Sequence, residues 1–160
     1  MISRKFIIFT IIYIIIIIIS AVIAYQLEKN RREKKGETID IKKFINNGTR
    51  ITPRVFFIGL IFGIIFGMMD NISLYFGVEG LGDILKKKYN MDEVTVAGYS
   101  NAYSGTLGIT LAAFAVLISK YLYPDVDQNN LPVWLDTIGF LTGAIIGIYV
   151  PKLFFKKSAK

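Results

Sequence analysis

Residues 55–76 read VFFIGLIFGIIFGMMDNISLYF, 22 residues with one charge, Asp70, and with glycine at every fourth position: Gly59, Gly63 and Gly67. At about 1.5 Å per residue this run exceeds the roughly 30 Å hydrocarbon core of a bilayer, so it reads as a transmembrane helix. Residues four apart share one helix face, and a face without side chains lets two backbones approach closely where lipid provides little drive for helix association.

Working outward, three further runs have the same character. Phe6 to Leu27 is uncharged and contains six consecutive isoleucines, Ile14 to Ile19. A third span is expected within the uncharged stretch 94–119, from about Tyr103 to Tyr123, with Lys120 snorkelling at its end. The fourth opens at Pro132, which suits a first helical turn, and ends near Val150-Pro151. The spacing of four returns in Gly139, Gly143 and Gly147, and more loosely in Ser104, Gly108, Ala112 and Ala115. The expected fold is therefore all-α: an integral membrane protein of four transmembrane helices, with spans two to four in a glycine-packed bundle. Span one, bulky and β-branched, is expected to be a peripheral anchor. A signal peptide competes for it, since Arg4 and Lys5 precede the run and Val22-Ile23-Ala24 resembles a cleavage site. The run is longer than a usual signal core, and the basic sequence behind it resists translocation.

The whole chain has 160 residues, 53% hydrophobic and 19% charged, with a net charge of +7 and neither Cys nor His. Its mean hydropathy is +0.50. The missing residue types exclude disulfides, thiol nucleophiles, the usual zinc sites and any triad built on histidine. No enzyme, cofactor or metal is expected. The organisation is read as an anchor (1–27), a basic polar loop (28–54), a three-span body (55–151) with an interfacial segment at about 79–90, and a basic tail (152–160).

The loop after span one carries nine Lys/Arg, namely Lys29, Arg31, Arg32, Lys34, Lys35, Lys42, Lys43, Arg50 and Arg54, against four acids. Its first half is expected to continue helix one; Gly36 and Asn46-Asn47-Gly48 then interrupt it. With four crossings, one side of the membrane holds nine Lys/Arg and the other ten, so the bulk count does not orient the chain. The density of charge directly behind span one favours a cytoplasmic loop, with both termini on the opposite side. Near-equality leaves dual insertion open. The Asn47-Gly48-Thr49 sequon would matter only for a lumenal loop. The loop reads either as a topology signal drawn to anionic lipid or as a docking surface for an acidic partner. It has few aromatic residues to stack bases, so specific nucleic-acid recognition is not expected.

Asp70 lies three residues after Gly67, and Asp136 three before Gly139, which puts each on its helix's glycine face, toward the bundle. An acid within the bilayer is costly and marks a site by default. Counting along the helices places the two near opposite interfaces, so they do not form a catalytic pair. Asp136, in a first turn, complements the positive helix end. Asp70, near the expected end of its span, is expected to form a hydrogen-bonded cluster with Asn71, Asn101, Tyr103 and Ser104. That cluster would act as glue between spans two and three or as an ion or proton site; otherwise span two ends early and Asp70 is hydrated.

The segments 66–77, FGMMDNISLYFG, and 97–108, AGYSNAYSGTLG, resemble a family of small multi-span membrane proteins encoded by large nucleocytoplasmic DNA viruses. The likeness covers roughly residues 55–150 and rests on an Asp-Asn pair before an aromatic glycine segment and on one Asn-x-x-Ser-Gly segment. It implies a structural component of a virion's inner membrane, present in host internal membranes during assembly and lying under an icosahedral capsid. It implies no reaction.

Two functions are consistent with these features. One is a structural membrane protein, a minor capsid component that presents the basic loop to an overlying protein layer. The other is a small oligomeric channel or transporter with Asp70 as its polar site. The expected partners are the lipid bilayer and a capsid or other membrane protein, and a homo-oligomer stays open.

Overall fold

The structure, a computed structural model, describes residues 4–154, without the side chains of residues 4–6, 9, 78, 79, 152 and 154. The end of the basic tail, 155–160, lies outside the described residues. Those described form six helices and no strand: α1 (Arg4–Glu33), α2 (Ile41–Ile45), α3 (Pro53–Gly80), α4 (Gly82–Tyr89), α5 (Glu93–Leu122) and α6 (Val133–Phe154). Four stretches are long and apolar enough to cross a membrane: Thr10–Glu33, Pro53–Gly77, Glu93–Leu122 and Val133–Pro151. The chain divides into two compact units between Gly48 and Thr49.

In the first unit α1 leaves its isoleucines exposed all round, and none of its apolar window is buried. The helix continues through the charged residues to Glu33, where Glu28 accepts hydrogen bonds from Arg31 (2.8 Å) and Arg32 (2.7 Å). Gly36 then turns the chain at φ +74°, a conformation that glycine adopts without strain. Asp40 caps α2 by accepting from the Lys43 amide at 2.6 Å. Phe44 of α2 packs edge-on against Tyr25 of α1, with ring centroids 5.3 Å apart.

The second unit is built around α3. Thr52 caps it, accepting from the Val55 amide at 3.2 Å, and Pro53 follows as a first-turn residue. α6 runs parallel to α3 in the register Gly63 to Gly139 and Gly67 to Ala144. A β-carbon built at Gly63 would fall on the carbonyl oxygen of Asp136 and lie 2.5 Å from the Phe140 amide nitrogen; one at Gly139 would lie 2.5 Å from the Leu60 carbonyl oxygen. At Gly143 it would meet the Ile64 carbonyl oxygen, and at Gly147 that of Met68. Backbone meets backbone along this face. α5 packs antiparallel on a neighbouring face of α3 through the buried Ser100, Ser104 and Gly108, while Val96, also buried, meets Gly82 of α4. α5 and α6 share no comparable interface, so the unit is a layer centred on α3 and not a closed bundle.

Three boundaries differ from the sequence expectation. α5 begins at Glu93, not near Tyr103, because Asp92 caps it: its carboxylate accepts from the amides of Val94 (2.9 Å) and Thr95 (3.0 Å) and from the Thr95 hydroxyl (2.7 Å). α3 continues to Gly80, so Asp70 lies inside the helix and not at its end. α6 passes through the buried Pro151 to Phe154. The segment expected at 79–90 contains α4, which ends at Asn90 in a left-handed conformation (φ 52°) with Lys86, Lys87 and Lys88 in its last turn.

Candidate functional site

The polar centre of the second unit lies between α3 and α5. Ser104 donates its hydroxyl to Asp70 Oδ1 at 2.7 Å, with the Asn101 carbonyl oxygen also 3.0 Å from Oγ. Ser104 is fully buried, and Gly105 beside it leaves ordinary contact distance to the same carboxylate. One turn away, Ser100 is 1% exposed and its hydroxyl has no hydrogen-bond partner among the described residues. It faces Gly77 of α3, and Ser73, also buried, lies on the α3 turn between Gly77 and Asp70. The seam is thus a ladder of small polar groups at one-turn intervals, with a single carboxylate.

The expected five-residue cluster is reduced to this pair. Asn71 turns away, donating from Nδ2 to the Gly67 carbonyl at 2.9 Å, and its Cβ lies opposite Gly147 of α6. Asn101 contributes only its backbone carbonyl, and its side chain is exposed. Tyr103 is exposed as well. The reason is angular: at 3.6 residues per turn, 101 and 103 lie about 80° to either side of the line midway between 100 and 104, on the flanks of the seam. Ser100 was missed at the sequence level, although it extends the spacing of four back from Ser104. A serine–carboxylate pair without an intervening base cannot generate a nucleophile, so the pair is suited to holding helices together or to ligating a small cation or water.

Asp136 differs from its expected orientation. Its backbone carbonyl lies against Gly63, but its side chain is exposed. Asp70 is seven residues further along α3 than Gly63, about 10 Å along the axis, and the two acids do not meet.

The second candidate is the basic segment of the first unit. Arg31, Arg32 and Lys29 pair with Glu28, Glu37 and Glu33. Lys34, Lys35, Lys42 and Lys43 are exposed, and their side chains make no ion pair among the described residues. Four uncompensated ammonium groups therefore sit on the turn and on α2, directly behind the apolar part of α1. Arg54 belongs elsewhere: in the second unit it pairs with Asp125 at 2.7 Å and lies 5.0 Å from the Tyr123 ring centroid, tying the start of α3 to the connection before α6. In the same connection Gln128 Oε1 accepts from the Ser119 hydroxyl at 2.6 Å.

Comparison with protein-family models, curated proteins and solved structures finds no match, so the function has to be argued from these two sites.

Proposed function

We propose that the chain is a structural multi-pass membrane protein, a minor capsid or inner-membrane component that links the membrane of a virion to its capsid shell. The observation that carries the link is the lysine group Lys34, Lys35, Lys42 and Lys43, exposed and without an ion pair among the described residues, on the turn after α1 and on α2. Each Lys near an anionic surface contributes about 1 kcal/mol, so four together bind an acidic protein or lipid face in a salt-sensitive way. The close backbone contacts at Gly63, Gly139 and Gly143 support a glycine-packed multi-pass body in the membrane. The virion itself comes from the resemblance over residues 55–150.

The test is the behaviour of assembled particles. The chain should co-purify with them, with residues 28–54 protected from protease in intact particles and cleaved once the shell is removed. Replacing the four lysines with Gln should release the shell at lower salt. Absence of the chain from particles would overturn the virion assignment.

A second function, a small oligomeric channel, is favoured by one observation: the unpartnered Ser100 hydroxyl one turn from the Asp70–Ser104 pair. In reconstituted vesicles Asp70→Asn would then abolish cation flux while leaving assembly unchanged. No flux from the parent protein excludes this function.

A further inference from the structure

We infer that the groove between α3 and α6 beside Asp136 binds an organic ammonium cation. The inference rests on the multi-pass reading of α6 but not on the capsid link. Asp136 lies in the first turn of the apolar stretch of α6, three residues from its start, with its backbone carbonyl against Gly63 of α3. Its carboxylate is exposed there, and no cation or hydrogen-bond donor among the described side chains pairs with it. A charge in that position calls for a partner.

The walls beside it select which one. Phe66 and Phe140 lie 5.3 Å apart and Phe62 and Phe66 6.0 Å apart, with planes inclined by 39° and 37°. With Gly63, Thr137 and Asp136 they line a groove of about 300 Å³. The Thr137 hydroxyl is within bonding distance of the Val133 carbonyl (3.3 Å), which leaves the carboxylate as the groove's main polar feature. Aromatic faces and a carboxylate both attract positive charge. One carboxylate among phenylalanines cannot replace the water shell of a metal ion, which needs several oxygen ligands. A cation that carries its own apolar coat loses little by entering, and quaternary ammonium is the simplest of these. A second cavity, about 280 Å³, adjoins Asp136 from the side of Gln128 and Asn129 and gives water a route to the carboxylate when the groove is empty.

The test uses the full chain in nanodiscs titrated with benzyltrimethylammonium, followed by equilibrium dialysis and by the fluorescence of Trp134, the single tryptophan, two residues before Asp136. Binding should saturate. Asp136→Asn should weaken it about tenfold or more, Phe140→Leu about threefold, and Thr137→Val not at all. The uncharged isostere neopentylbenzene should not compete. Once the probe's accumulation on empty discs of the same lipid is subtracted, weaker binding in phosphatidylcholine than in phosphatidylglycerol discs would identify the native ligand as a lipid headgroup, and equal binding a free cation. Helical circular dichroism checks each variant, and Phe140→Leu carries the test if Asp136→Asn does not fold. Absence of saturable binding, unchanged affinity in both variants, or equal competition by neopentylbenzene would overturn the inference; a chain that does not enter the discs at all would instead overturn the multi-pass reading.

Discussion

α1 and α3 are both apolar and long enough to cross a membrane, yet they are built on opposite principles. Between Phe6 and Leu27 α1 has no glycine and buries none of its apolar window, whereas α3 has glycines at 59, 63 and 67 and lies against two other helices. Apolarity suits a helix to lipid, but it does not attract one helix to another, because lipid tails solvate isoleucine as well as a neighbour does. Where α6 approaches α3 the facing positions lack side chains, and where α5 approaches they are small or polar.

The largest test of this contrast is a change of side-chain bulk on each helix. Gly63→Leu would drive a side chain into the backbone of Asp136 and Phe140, and should destabilise the second unit by about 3 kcal/mol or more. Ile16→Ala, on a helix whose neighbouring side chains are exposed, should change stability by less than about 0.5 kcal/mol. Unfolding of the full chain in detergent mixtures with increasing dodecyl sulfate, read by helical circular dichroism and Trp134 fluorescence, checks both. Comparable effects at the two positions would remove the distinction between the helices.

A finer version compares two glycines of α5. At Gly108 an added β-carbon would lie 2.9 Å from Phe66 Cδ2 and 3.0 Å from the Phe66 carbonyl oxygen, whereas at Gly105 the nearest atom is Asp70 Oδ1 at 3.8 Å. Gly108→Ala should therefore cost about 1–2 kcal/mol and Gly105→Ala almost nothing, in the same unfolding assay. Asp70→Ala should cost about 1 kcal/mol, because Ser104 loses its partner while the helix backbones keep their contacts.

The smallest effect is expected at the start of α5. The Thr95 hydroxyl, then the amides of Thr95 and Val94, hold the Asp92 carboxyl below its ordinary pKa. A carboxyl depressed in the folded state contributes stability above its unfolded pKa and loses that contribution as pH falls through the folded value. The helix start should therefore fray below about pH 4 and stay intact at neutral pH. Amide exchange at Val94 and Thr95 measures this, and Asp92→Ala should exchange fast at every pH.

The four apolar runs and the four-residue glycine spacing were legible from composition and periodicity alone, because both are properties of a single helix. The start of α5 was not. Tyr99, Ser100, Asn101 and Tyr103 dilute the hydropathy of its first turns, although the Asp92-Glu93 pair ahead of an uncharged run was a usable capping signal. The side of a helix on which a polar residue lies, once two neighbours compete for it, was also illegible. Asp70 turns to α5 and Asn71 to α6 although they are adjacent in sequence. Asp136 shares a face with Gly139 by counting, but contributes its carbonyl there and leaves its carboxylate exposed. The pairing of Arg54 with Asp125 depends on which connection folds over the start of α3, and local sequence does not carry that information.

The claim that most depends on all four helices is that this is a four-span anchor with its lysine group on one defined side. The chain has no cysteine, so single cysteines report without background. Lys35→Cys, Lys87→Cys and Asp127→Cys, each in sealed membranes, can be labelled with an impermeant maleimide before and after permeabilisation. Four crossings put Lys35 and Asp127 on one side and Lys87 on the other. Lys87 reacting from the same side as Lys35, or as Asp127, would contradict the four-span account.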